Sequence, residues 1–109
     1  MQEAMYDELV HGLLNILADD QTVRIVLYGS AARGTAEPDS DIDIAIFLTR
    51  RLSSQQEDQL SDVIVDLNLK YNKVFSVVDI DHDTYLKWRF AAPFYQHVDR
   101  EGIVLWKAA

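Results

Sequence analysis

Two aspartates, Asp41 and Asp43, stand one residue apart at the head of an apolar run over residues 42–48, and the pair Gly29-Ser30 closes an earlier apolar run over residues 23–28. Both runs read as buried strands. Successive strand side chains point to opposite faces, so Asp41 and Asp43 share one face while Ile42, Ile44 and Ile46 share the other. Asp is depleted in strands, and two carboxylates roughly 7 Å apart on one face repel each other unless a counter-charge is supplied. Hard cations such as Mg²⁺, which take oxygen ligands and bridge phosphates, would supply it. The plainer alternative is a pair of exposed carboxylates on a half-wet strand. Gly29 permits a tight turn and close backbone approach. The Ser30 hydroxyl and the N–H groups after it would make an anion-binding corner at a helix start; Ser30 as an ordinary N-cap is compatible with that.

The elements that must position these groups follow from periodicity. Met5, Leu9, Leu13, Ile16 and Leu17 recur at helical spacing, which predicts an amphipathic helix over residues 3–18. A strand over 23–28, a short helical turn over 30–33, a Pro38-containing loop over 37–40 and a strand over 42–48 come next. Ser54-Gln-Gln-Glu57 fits a capping box that opens a helix running to about Lys70. A third strand is expected over 74–80. Asp83 then caps a helix over 84–90, Pro93 restarts the helix, Gly102 ends it, and 103–106 form a short last strand. This order predicts a single α+β domain over residues 1–109, with a small mixed sheet, helices packed on one face and the other face open for chemistry.

The string Gly-Ser-x-Ala-Arg-Gly, followed by Ser-Asp-Ile-Asp-Ile, resembles the active-site pattern of the nucleotidyltransferase superfamily that includes DNA polymerase beta and kanamycin nucleotidyltransferase. It is most similar to the small stand-alone branch called minimal nucleotidyltransferases, or MNT proteins, and the resemblance spans the whole chain. It implies the polymerase beta-like nucleotidyltransferase fold. Asp41 and Asp43 would be catalytic metal ligands for two Mg²⁺ ions, and Gly29, Ser30 and Arg33 would bind the nucleotide. The resemblance favours ATP as the donor. Arg33 would reach the triphosphate or else pair with Asp39 or Asp41, and Ser40 is a turn residue before it is a nucleotide ligand. Such enzymes often carry a third carboxylate on the neighbouring strand. Asp79 is a candidate for that catalytic position, Ser76 would replace it in a family-like register, and Asp81 is the remaining choice.

The same resemblance implies a partner. MNT proteins are commonly paired with a small helical HEPN protein, a ribonuclease-type toxin, so the chain is expected to act as an antitoxin that transfers AMP to a tyrosine of that toxin. An inactive module that silences its partner by binding is the alternative. Modification of a small molecule is disfavoured because 109 residues leave no room for an acceptor lobe.

Composition narrows the classes further. The formal net charge is −8, which argues against nucleic acid as a partner because that affinity rests on Lys and Arg neutralising phosphates. A nucleotide carried with its own metal ions suits the acidic balance. There is no Cys, so disulfides and thiolate metal sites are excluded. No secretory signal and no apolar run of membrane-spanning length is seen, and a cytoplasmic protein is expected. His82 lies in an acidic loop suited to helix capping. Trp88, Phe90, Phe94, Tyr95 and Trp106 read as packing residues, or as an exposed patch for a partner. A homo-oligomer is compatible with the sequence.

Overall fold

The computed structural model describes residues 2–109. The chain folds as α1 (Gln2–Ile16), β1 (Thr22–Tyr28), α2 (Gly29–Arg33), β2 (Ile42–Leu48), α3 (Ser54–Tyr71), β3 (Phe75–Asp81), α4 (His82–Trp88), α5 (Pro93–Glu101) and β4 (Ile103–Lys107). The strands form one mixed sheet in the order β3-β2-β1-β4. β1 runs antiparallel to both β2 and β4, whereas β2 and β3 are parallel and joined by the α3 crossover. Both central strands are mostly apolar, as strands covered on both faces need to be, with Arg24 in β1 and Asp43 in β2 as the charged exceptions.

One face of the sheet carries Ile25 and Leu27 of β1, Ile42, Ile44, Ile46 and Leu48 of β2, and Phe75 of β3. Met5, Leu9 and Leu13 of α1 and Leu67 of α3 close over them. Burial of each such side chain contributes about 1.5–3 kcal/mol relative to exposure. The opposite face is not bare. Val26, Ala45, Phe47 and Ile80 pack there against Tyr85 of α4 and Val98 of α5. The mixed sheet is as expected, but the helices occupy both faces. The Asp43 end of this second face is the less covered one: Tyr28, Asp43 and Ser76 are half-buried there, whereas Phe47 and Ile80 at the other end are buried beneath α4 and α5. A polar centre ties these helices down: Asp99 accepts the Tyr85 hydroxyl at 2.6 Å and pairs with Arg24 at 3.4 Å and Arg89 at 3.6 Å.

Local boundaries differ from the sequence expectation in ways that have physical causes. The capping box of α3 is Ser53 with Gln56, not Ser54 with Glu57. The register shift leaves the Gln56 amide free to donate to Gln21 Oε1 at 2.7 Å and to Ile16 O at 3.1 Å. Gln21, only 1% exposed, joins that network and locks the end of α1 to the start of α3. α4 is capped by Asp81, which accepts from the Thr84 N–H at 2.9 Å, so the cap falls two residues before Asp83. Among the described residues no helix is long and apolar enough to cross a membrane.

Candidate active site

β1 ends at Tyr28 and turns directly into α2 through Gly29, whose φ of +74° lies in the left-handed region. A Cβ on Gly29 would collide with the Asp43 carboxylate. Glycine is therefore required twice over, by the backbone conformation and by the approach of a functional side chain. α2 is five residues long and ends in a left-handed Gly34. Its N-cap position is Tyr28 and no side chain caps it. Ser30 lies inside the helix and is not its cap.

The register across the sheet places the remaining groups. Asp43 sits opposite Tyr28 on β1 and opposite Ser76 on β3. It shares a face with Ala45 and Phe47 but, unlike them, is only half-buried. Asp41 lies in the chain just before β2. Its carboxylate is near enough to act on Asp43, whose pKa is raised first by partial burial and next by the Asp41 charge, against a lowering contribution from Arg33. Burial of the Tyr28 phenol raises its pKa, and the Asp43 charge adds to the rise. Tyr28 packs edge-on against Phe94 of α5, with ring centroids 5.6 Å apart.

Arg33 pairs with neither Asp39 nor Asp41. Its Nη1 donates to Glu101 Oε2 at the end of α5, at 2.9 Å. Ser40 is a turn residue: its hydroxyl accepts from the Glu37 N–H at 2.9 Å, and its own N–H donates to the Glu37 carbonyl at 3.0 Å.

The third carboxylate is not brought to the pair. Asp79 pairs with Ile46 in the parallel ladder, which puts it on the opposite face from Asp43 and roughly 10 Å further along the strand. It lines a cavity of about 410 Å³ with Arg50, Arg51, Leu52 and Glu57. There its pKa is raised by desolvation and then by Glu57. Asp81 is occupied as the α4 cap. The strand position facing Asp43 belongs to Ser76. Neither Asp41 nor Asp43 lines the cavity beside Asp79. A second cavity, about 540 Å³, is lined by Tyr6, Ala36, Ser40 and Lys73 among others and does not include the pair either.

Two carboxylates fit a hard divalent cation that is shared with a substrate. Among the described residues no three acidic or histidine side chains converge. Mg²⁺ is commonly held by one or two carboxylates, with phosphate and water oxygens completing its octahedron. The mutual repulsion felt by Asp43 is what such an ion would relieve.

The sequence matches the family described as Polymerase beta, Nucleotidyltransferase over residues 12–108, so the chain belongs to that nucleotidyltransferase family. No curated protein matches it by sequence. Several solved structures share its fold. One is a toxin-antitoxin crystal structure with AMP-PNP, at 23% identity and a TM-score of 0.65, covering 94% of this chain and 73% of that one. Another is a tri-AMPylated Shewanella oneidensis HEPN toxin in complex with MNT antitoxin, at 21% identity and a TM-score of 0.63, covering 98% and 73%. A third, the toxin-antitoxin MntA-HepT, matches at 20% identity and a TM-score of 0.58, covering 95% and 71%.

The sequence singles out neither Tyr28 nor Glu101 for this site, and Phe94 only as a packing residue or part of an exposed patch. Tyr28 was legible in principle, since it has the parity of a residue facing Asp43. The other two come from α5, and no local signal in the sequence points to them.

Proposed function

We propose that this protein transfers AMP from ATP, with Mg²⁺, to a hydroxyl of a partner protein, and that it acts in the cytosol as the antitoxin of a helical HEPN toxin whose tyrosine is the acceptor. The observation that carries the reading is the packing of the Asp43 carboxylate against the left-handed Gly29, with the Asp41 charge close enough to act on it. Asp41 and Asp43 are the residues that would hold the divalent ions, which when bound would neutralise the triphosphate and favour ionisation of the acceptor hydroxyl. Gly29 lets the backbone approach the phosphates, Ser30 offers its hydroxyl, and Arg33 contributes a fixed positive charge. In the transfer the acceptor oxygen bonds to the α-phosphorus, pyrophosphate leaves, and the hydroxyl proton passes to a base. Positioning and charge neutralisation do most of the work in such a reaction. The partners solved with fold neighbours, one of them AMPylated, support the choice of acceptor class.

Ser76 opposite Asp43 favours a second reading. With the Ser76 hydroxyl where a third carboxylate would stand, that position supplies no ready base, so turnover is slow unless another group or the partner supplies one. At the limit, the protein silences its partner by complex formation alone. Incubation with labelled ATP, Mg²⁺ and the product of the neighbouring gene, followed by intact-mass measurement, separates the readings. Added AMP units that vanish in Asp41→Asn/Asp43→Asn support transfer. A tight, silencing complex without adduct supports the binding module.

A further inference from the structure

α2 has five residues and buries none of them completely, so its own packing does little to fix the direction of Arg33. Ala31 and Ala32 reach the core only in part. Arg33 stands four residues after Gly29, hence on the same flank of the helix one turn on, and Gly29 is the residue that abuts Asp43. Its partner Glu101, at 2.9 Å, is the more enclosed of the two, with a side chain 22% exposed against 47% for Arg33. Glu101 is also anchored. The Gly102 N–H after it donates to Val98 O at 2.8 Å. A Cβ on Gly102 would stand 2.6 Å from Val26 Cγ1, so the chain there lies directly on β1. Asp99, two residues earlier, is held by Tyr85 and Arg24.

We propose that Glu101 is a positioning residue that holds the Arg33 guanidinium in place beside the Asp41–Asp43 pair for a nucleotide triphosphate. This rests on the nucleotide reading of the site given above. A guanidinium has five N–H donors, so one nitrogen committed to Glu101 leaves the others for phosphate oxygens. An arginine already confined to one direction also loses less rotamer freedom on binding. A half-exposed ion pair of this kind adds little to stability, which makes geometry its main contribution.

Mg²⁺-ATP titration by calorimetry on the full chain tests this with Arg33→Ala, Glu101→Ala, Glu101→Gln and Arg33→Ala/Glu101→Ala. Glu101→Ala weakens binding about fivefold, the loss of one oriented hydrogen bond to a charged group. Glu101→Gln keeps an acceptor oxygen and loses only about twofold. Neither effect persists in the Arg33→Ala background, since Glu101 acts through Arg33. Unchanged or tighter binding by Glu101→Ala, or an equal loss with Arg33 absent, overturns the inference while leaving the nucleotide site intact. No loss in Arg33→Ala overturns the nucleotide role of Arg33 and the inference with it. Should Glu101→Ala fail to fold, the isosteric Glu101→Gln and its cycle with Arg33→Ala decide the question alone.

Discussion

Gly29→Ala puts a number on the closeness of turn and carboxylate. At φ +74° an L-residue strains the backbone by about 1–2 kcal/mol. The new Cβ would also press on the Asp43 side chain, with Cγ at 3.3 Å and Cβ at 3.5 Å behind the colliding oxygen. The carboxylate is the free end of its side chain and can rotate aside, at about 0.5–1.5 kcal/mol for leaving its rotamer. The whole change therefore costs about 1.5–3.5 kcal/mol, which lowers the melting temperature of a domain this size by on the order of 10 °C. Urea denaturation with an unchanged m-value reads the loss directly. In an Asp43→Ala background the collision is gone, and Gly29→Ala should then cost only the backbone share. A coupling of about 0.5 kcal/mol or more between the two sites is the signature. Equal costs in both backgrounds would refute the contact between Gly29 and Asp43, and with it the compact site.

Two further outcomes follow from the same geometry. The Asp43 pKa is raised by burial and by Asp41, so the folded state binds that proton more tightly than the unfolded state. Its ionisation costs stability as pH rises through the raised value, and the cost is absent below the unfolded pKa of about 4. Asp43→Asn should thus stabilise the metal-free protein at pH 7 by roughly 0.5 kcal/mol for a partly exposed like-charge pair, and the gain should close in thermal melts below about pH 4; destabilisation at pH 7 counts against the repelling pair. Ser76→Asp installs a carboxylate opposite Asp43 and should raise pyrophosphate release about tenfold or more through a third ligand or base, whereas Asp79→Asn on the opposite face should leave rate and affinity within about twofold. The reverse pattern would return the third position to Asp79.

Much of the architecture was legible because its causes are local. Alternation along residues 42–48 separates Asp43 from the Ile42–Ile44–Ile46 row, and the core does take that row while leaving Asp43 out. Gly29-Ser30 at a strand end announces a turn because few residues other than glycine tolerate a left-handed backbone. Pro93 and Gly102 bracket α5 for equally local reasons. Ser53 and Ser54 stand in tandem, so local chemistry could not choose between them. The Gln56–Gln21 amide pair, made across 35 residues, goes with the first.

What only the tertiary structure decided depends on pairing across long stretches of chain. Parity along the third strand sets Ser76 and Asp79 on opposite faces, but the sequence does not say which face meets Asp43. The parallel ladder reached through the α3 crossover fixes that choice, because one step of register would exchange the faces of every β3 side chain. Arg33 likewise carries no mark of its partner, for Glu101 lies 68 residues away and is delivered by the packing of α5 on β1. Local chemistry wrote the carboxylate pair and its turn; non-local packing chose which residues stand around them.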